Sequence, residues 1–211
     1  MCNLLKLLLI LIFMSSVDLY SMGDNDVRFS RLTSYSFSSP QAISKDKFGF
    51  LWIGASDGLV KYDGYSYKSY TNDPNDASSI SNGNIRSILL DATGNLWIAT
   101  TNGLNRYNYL TDKFIIFNFE TKKQNFIYEI FESSDGSIWI ATEDGIKRKK
   151  NNSNNFENFS YYNDRVGSNN KIGEARTFFQ DIDDILWVGT INSGILRFDF
   201  SNDFFMQLPS K

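Results

Sequence analysis

The chain has 211 residues and a formal net charge of −3, so a strongly basic binder of nucleic acid or of an anionic membrane is not expected. It contains no histidine, and its single cysteine is Cys2. A Ser-His-Asp triad, a Cys-His dyad, a His-ligated zinc and a phosphoacceptor histidine are therefore excluded within this chain. Hydrophobic residues make up 42% and aromatic residues 16%, a globular composition rich in side chains that strands favour.

Residues 1–21 predict a secretory signal peptide. Lys6 supplies a positive charge, and the eight residues from Leu7 to Met14 are all apolar, a run too short to span a bilayer. Cleavage is expected near Ser21, and the alternative is a short uncleaved anchor. No later apolar stretch approaches about 18 residues, so no transmembrane helix is expected after the signal. The chain is expected in the periplasm.

Residues 22–211 repeat one motif four times, at spacings of 45, 42 and 48 residues. A supersecondary unit of this length cannot bury its apolar faces alone, so neighbouring units must stack. Each copy centres on a tryptophan within an apolar strand, and we expect this tryptophan to pack between adjacent units rather than on a ligand. The four residues are Trp52, Trp97, Trp139 and Trp187.

Each repeat predicts four short strands separated by tight turns. The turn before each tryptophan begins with Asp or Ser and ends with Gly, except that Asp184 takes the glycine position in the fourth copy. The hairpin turn after each tryptophan carries Asp-Gly, Asn-Gly or Ser-Gly, and the first two favour positive φ at both central residues. No window shows a helical period. The glycines of these hairpin turns are Gly58, Gly103, Gly145 and Gly194.

Four antiparallel strands in about 45 residues are typical of a propeller blade. The predicted fold is all-β, with about four four-stranded blades near 38–72, 83–120, 124–162 and 172–208. Inner strands are predicted at 41–45, 85–90, 126–131 and 176–180, and outer strands at 65–70, 114–119, 156–161 and 204–208. An extra strand is predicted at 27–35. We expect an open arc whose terminal blades expose apolar faces, and self-association through these faces.

The segment Leu-Trp-Ile-Gly-Ala-Ser-Asp-Gly-Leu-Val-Lys-Tyr-Asp at 51–63 resembles the two-component regulator propeller repeat. Its counterparts at 96–108 and 186–199, and the connector at 72–82, resemble the same family. The resemblance covers about 28 to 208. It implies the periplasmic sensor region of a hybrid two-component histidine kinase, in which seven-bladed propellers precede a β-sandwich, a transmembrane helix and the kinase, and oligosaccharides are the typical ligands. The chain is expected to be an N-terminal part of such a sensor, an open arc of a seven-bladed propeller without its own kinase.

One register of the repeats suggests a ligand site. The position eleven residues before each tryptophan is polar or amphipathic in all four copies, and it lies at the start of the innermost strand, near one mouth of the central channel. Arginine and tyrosine there suit the hydroxyl and carboxylate groups of acidic sugars. The alternative is that each side chain bonds locally to the neighbouring blade. These candidate ligand-binding residues are Gln41, Arg86, Tyr128 and Arg176.

Three further features are weighed against structural explanations. Outer-strand aromatics could stack on sugars, but packing between blades is the expected alternative. Carboxylates around the fourth inner strand could serve glycoside hydrolysis, although two of them belong to a turn. The connector from Asp73 departs from a calcium loop, with Ser78 and Asn84 at the positions that need Gly and Glu. The aromatics are Tyr67, Phe117 and Phe159, and the carboxylates are Glu174, Asp181, Asp183 and Asp184.

No catalytic residue, metal site or cofactor is therefore predicted. The leading hypothesis is a non-enzymatic, extracytoplasmic propeller segment that senses a ligand, most naturally an oligosaccharide. The alternatives are a propeller polysaccharide lyase or hydrolase, a non-catalytic interaction module, and a truncated remnant.

Overall fold

The computed structural model describes residues 38–163 and 168–208, all within one compact unit of the chain. The predicted signal peptide and the predicted strand at 27–35 lie outside the described residues. Within the described part, eighteen strands form four sheets, and one short helix lies outside the sheets. No helix in these ranges is long and apolar enough to cross a membrane.

The sheets follow the four repeats and are called blades 1 to 4. Blade 1 contains β1 (Pro40–Lys45), β2 (Leu51–Ala55), β3 (Leu59–Tyr62) and β4 (Tyr67–Tyr70). Blade 2 contains β5 (Ile85–Leu90), β6 (Leu96–Thr100), β7 (Gly103–Asn108) and β8 (Lys113–Phe117). Blade 3 contains β9 (Ile127–Glu132), β10 (Ile138–Thr142), β11 (Gly145–Lys149) and β12 (Glu157–Asn158). Blade 4 contains β15 (Ala175–Gln180), β16 (Leu186–Thr190), β17 (Ile195–Asp199) and β18 (Phe204–Gln207), together with the strands β13 (Ser160–Asn163) and β14 (Ser168–Lys171).

The four strands of each repeat pair in chain order and antiparallel, which confirms the predicted all-β architecture. Blade 4 differs from the prediction because its sheet has six strands. The predicted outer strand at 156–161 divides at Phe159, and β13 then pairs in parallel with β18 and antiparallel with β14. Phe159 packs against Trp139 of blade 3 and Phe205 of blade 4, at ring distances of 5.3 and 5.7 Å. The chain therefore crosses to the next blade at this residue.

Two local predictions are wrong. A one-turn helix, α1 (Lys122–Asn125), lies between blades 2 and 3, where no helix was expected. The Thr121 side chain accepts a hydrogen bond from the Gln124 backbone N–H at 3.1 Å, a typical N-cap that a window-based helical period does not detect. In the hairpin after Trp97, only Gly103 has positive φ, and Asn102 does not. The Thr100 hydroxyl donates to the Gly103 carbonyl at 2.9 Å and holds this turn in place of a type I′ geometry.

The turns before the tryptophans each anchor the indole ring. Trp97 Nε1 donates to Asp91 Oδ2 at 2.8 Å, and the other Asp91 oxygen accepts the Thr93 and Asn95 backbone N–H groups. In the other blades, the indole N–H of the tryptophan donates an equivalent hydrogen bond to the side chain of Asp46, Ser133 or Asp181. A buried indole N–H needs an acceptor, so the aspartate or serine that starts each turn also satisfies the core.

The first three tryptophans are buried between neighbouring blades. Trp52, Trp97 and Trp139 are 0, 1 and 0% exposed. Each lies in an apolar cluster that includes residues of the following blade, such as Ile98 for Trp52, Ile140 for Trp97 and Val188 for Trp139. The core of the protein is therefore a series of blade-to-blade interfaces rather than one central cluster, as stacking of repeats requires.

The fourth tryptophan ends this series. Trp187 is only partly buried, while Phe179 and Ile195 on the same face are 63 and 54% exposed. Their counterparts in blade 3, Phe131 and Ile146, pack into the cluster that blade 4 covers. We call Phe179, Trp187 and Ile195 the terminal face. Interfaces in the described residues join blades 1 and 2, 2 and 3, and 3 and 4, and no comparable interface joins blade 4 to blade 1, so the blades form an open arc.

Candidate functional site

The four candidate residues occupy the same special position in their strands. The pairing of each inner strand shifts by one residue near its start, and the unpaired residue of this β-bulge is Gln41, Arg86, Tyr128 or Arg176. A bulge bends a strand locally and changes the direction of a side chain, and bulges are frequent beside functional sites. The repeated register in the sequence therefore corresponds to a repeated backbone irregularity.

The structure brings these four residues together. They line one depression of about 420 Å³, to which all four inner strands contribute. Arg86 Nη1 donates to Gln41 Oε1 at 2.6 Å, and the Arg86 guanidinium lies 5.6 Å from the Tyr128 ring centroid. The Arg176 guanidinium lies 3.9 Å from the same centroid. The side chains converge, as the ligand-site hypothesis expects. They also contact one another across the blades, as the alternative of local bonding expects.

Glu174 completes the cluster and was not predicted as part of it. It forms an ion pair with Arg176 and accepts a hydrogen bond from the Tyr128 hydroxyl. Burial, and then this hydrogen bond, raises the pKa of Tyr128 to about 12. The only signal in the sequence was a carboxylate two residues before Arg176, which was interpreted as part of an acidic group.

Glu129 also lines the depression and was missed. Its carboxylate accepts the Phe178 backbone N–H of the next blade at 2.7 Å, and burial raises its pKa. Ser87, at the equivalent position of blade 2, accepts the Ile130 backbone N–H at 3.2 Å. These side chains join the inner strands, whose channel-side edges have no neighbouring strand within residues 38–163 and 168–208. In the sequence, the available signal for these contacts was a side chain that can accept a hydrogen bond directly after the bulge residue.

The acidic group around the fourth inner strand does not form a catalytic pair. Glu174 precedes β15 and Asp181 follows it, and a strand of this length separates its ends by roughly 20 Å. Asp181 accepts the Trp187 indole N–H at 2.7 Å, and this hydrogen bond lowers its pKa. Asp184 has φ +62°, the left-handed turn conformation that glycine takes in the other copies. Asp181 and Asp184 therefore belong to the turn before Trp187, and Glu174 belongs to the inner-strand cluster.

The outer aromatics and the connector take structural positions. Phe117 lies 5.5 Å from Trp97, and Tyr67 stacks on Tyr62 at 4.6 Å. In the connector, Asp76 accepts the Ser78 backbone N–H and hydroxyl, which together lower the pKa of Asp76 to about 2. Across the described residues, no group of three or more Asp, Glu, His or Cys side chains is arranged to hold a metal ion.

A larger depression of about 610 Å³ lies between the turns of blades 3 and 4. Two of its four carboxylates have local partners: Asp135 accepts the Ser137 hydroxyl at 2.9 Å, and Asp199 accepts the Asn202 amide at 2.9 Å. It is lined by two blades only, whereas the smaller inner-strand depression receives side chains from every blade. The inner-strand depression is therefore the better candidate for a ligand site.

Four consecutive blades with an open end define a segment of a β-propeller. A family model described as the two component regulator propeller matches residues 79–102 and 121–144. These two stretches therefore match two-component regulator propeller repeats, the family that the sequence motifs indicated. Histidine kinase P4 of Formosa agariphila is 47% identical to it over 53 residues, which are 25% of this chain and 4% of that protein.

Solved structures show the same fold. The extracellular domain assigned to a one component system of B. thetaiotaomicron has a TM-score of 0.65 and 27% identity over 81% of this chain and 25% of that chain. The extracellular domain of a hybrid two component system from the same organism has a TM-score of 0.56 and 21% identity, covering 81% of this chain and 30% of that one. A streptogramin B lyase shares the fold at a TM-score of 0.60 and 16% identity, over 84% and 56% of the two chains. This chain spans only a small part of the sensor proteins it matches.

Proposed function

We propose that this chain is the ligand-sensing, extracytoplasmic propeller segment of a hybrid two-component regulator, and that it binds an oligosaccharide without transforming it. The likeness to extracellular sensor domains supports the sensing role. The observation that carries the proposal is the inner-strand depression, where each blade contributes one bulge residue to the same 420 Å³ space. A volume of this order suits a small ligand.

Binding at this depression would be well placed to affect the whole arc. The bulge residues contact one another from blade to blade, through Gln41, Arg86, Tyr128 and Arg176 in sequence. A ligand that bridges these side chains would favour one relative arrangement of the inner strands over others. Such a preference between arrangements is the physical requirement for a signal.

Calorimetric titration of the purified chain with oligosaccharides from a panel of polysaccharides tests the proposal. We expect one class to bind, and Arg176→Ala to weaken that binding at least about tenfold while the melting temperature changes little. The charge-matched control, Lys113→Ala, removes an exposed cation of blade 2 that pairs with Asp76 outside the depression. Equal affinities for both variants and the unsubstituted chain would exclude this site.

The same samples distinguish sensing from catalysis. Chromatography of the oligosaccharides after incubation is expected to return them unchanged. Shortened or unsaturated products would instead support the lyase or hydrolase alternative, and no binding across the panel would favour an interaction module. For export, N-terminal sequencing of periplasmic protein is expected to begin near Ser21, and purely cytosolic protein would contradict an extracytoplasmic role.

A further inference from the structure

Two arginines and two carboxylates lie at the inner-strand depression, but only Arg176 and Glu174 form an ion pair. Arg176 has a carboxylate partner in Glu174, and the Glu129 carboxylate is engaged by the Phe178 backbone N–H. Among the described residues, Arg86 forms no salt bridge, and it donates a hydrogen bond to the neutral amide of Gln41. Arg86 is therefore the cation of this depression that has no counterion.

The donors of Arg86 are also incompletely used. Nη1 donates to Gln41 Oε1 at 2.6 Å in an exposed setting, whereas Nε is buried and has no hydrogen-bond partner in the described part of the chain. A guanidinium offers five N–H donors, and its two terminal Nη groups, at the exposed end, can hold a carboxylate through two parallel bonds. The contact with Gln41 lies in an exposed setting, so the guanidinium can exchange it for a stronger, charged acceptor.

The surroundings keep this guanidinium in place for such an acceptor. The Tyr128 ring lies 5.6 Å from it, and the Tyr128 phenol is uncharged near neutral pH, as any tyrosine is, with burial and the Glu174 hydrogen bond raising its pKa further, to about 12. A tyrosinate there would itself neutralise Arg86, but a neutral ring only positions it. Arg176 adds a second guanidinium at 3.9 Å from the same ring, although Glu174 offsets its charge.

We propose that the depression selects an acidic saccharide, whose carboxylate pairs with the Arg86 guanidinium. This inference rests on the proposed function and narrows its ligand to sugars that carry an anionic group. Gln41, which lines the same depression, supplies an amide partner for the sugar hydroxyls, and the Thr177 hydroxyl, which donates to Glu129, can accept from one. A sulfated sugar offers related chemistry, since a sulfate group also accepts two guanidinium hydrogen bonds.

The test compares uronate oligosaccharides with their methyl esters, which have the same sugars but no carboxylate charge. Calorimetric titrations of the full chain are expected to give at least about tenfold tighter binding for the acid, and this preference should shrink as salt is added. Arg86→Gln should remove the preference, and Lys113→Gln, the same charge change outside the depression, should preserve it. Sulfated neutral oligosaccharides form a parallel arm that separates carboxylate from sulfate recognition.

A second variant protects the test against misfolding. Gln41→Glu places a carboxylate beside Arg86 without removing the arginine, so it should abolish acid binding while the chain stays folded by circular dichroism. Equal affinity for acid and ester, or an acid preference that survives both variants, would overturn the acidic-ligand inference and leave the proposed function standing. Tighter binding of the sulfated sugars alone would show that the depression recognises a sulfate group rather than a carboxylate. A panel in which neither acid, ester nor sulfated sugar binds would contradict the proposed function itself.

Discussion

The face of blade 3 that carries Trp139 and the terminal face of blade 4 are built from equivalent residues. Phe131, Trp139 and Ile146 lie under blade 4, and Trp139 is 0% exposed. Phe179, Trp187 and Ile195 occupy the same positions one repeat later, and Phe179 and Ile195 are more than half exposed. The comparison shows that the repeat motif supplies an apolar face, whereas burial of that face depends on the next blade.

Truncating the two tryptophans should separate these roles most strongly. Trp139→Ala removes a buried ring that contacts Phe159, Phe198 and Phe205, and should cost ~3–5 kcal/mol of unfolding free energy. Trp187→Ala should cost about 1 kcal/mol, since it loses mainly the hydrogen bond to Asp181. Urea unfolding of both variants measures the difference. Equal losses would mean that Trp187 is covered in solution.

The cation opposite each tryptophan gives a second comparison. Arg148 pairs with Trp139 across the sheet, is 2% exposed, and binds Glu157 and Asp203, the latter from blade 4. Arg148→Met should cost about 2 kcal/mol, because two partly exposed carboxylates lose their partner. The control Arg197→Met changes the equivalent residue of blade 4 and should alter stability by less than about 0.5 kcal/mol. A reversed order in urea unfolding would refute the contribution of the interface.

The same ion pair predicts a pH dependence. Hydrogen bonds from Arg148 lower the pKa of Asp203, so its folded pKa lies below its unfolded value of about 4. A lowered carboxyl pKa contributes stability above the unfolded pKa, and this contribution is lost as pH falls through the folded pKa. Between neutral pH and strong acid, Arg148→Met should therefore lose less unfolding free energy than the unsubstituted chain. Parallel curves for the two proteins would show that this pair does not drive the acid sensitivity.

The smallest expected effect concerns self-association. We propose that the terminal face contacts a second copy of this chain, because equivalent faces of blades 1 to 3 are covered by a blade of the same repeat. Phe179→Asp should reduce concentration-dependent association in sedimentation velocity and leave the fold intact. Leu110→Asp, at a residue that is 97% exposed on the outer side of blade 2, is the matched control. If both variants associate like the unsubstituted chain, another surface mediates the contact.

Much of this fold could be predicted because the local rules repeat. The inner strand of blade 2 has the predicted bounds, Ile85–Leu90. The crossing of the chain at Phe159 could not be predicted, because it depends on aromatic contacts between two blades. The N-capped turn at Thr121 was missed because four residues are too few to show a helical period.

The candidate site was predicted only in part. The eleven-residue offset from each tryptophan found Arg86 and Arg176, since a repeated register places equivalent residues at equivalent points of the arc. Glu174 and Glu129 were missed as members of the cluster. Their contacts join residues of different blades, and such contacts depend on how the sheets stack.

The sequence by itself determined the strands, the turns and the repeating apolar face, because these depend on alternating hydrophobicity and on local turn chemistry. Only the tertiary structure decided which copies of the motif are covered, which strands acquire a bulge, and which charges find partners. The physical reason is that burial and ion pairing depend on residues about 45 positions away, supplied by the neighbouring blade. Trp139 and Trp187 share one motif and differ in exposure for this reason.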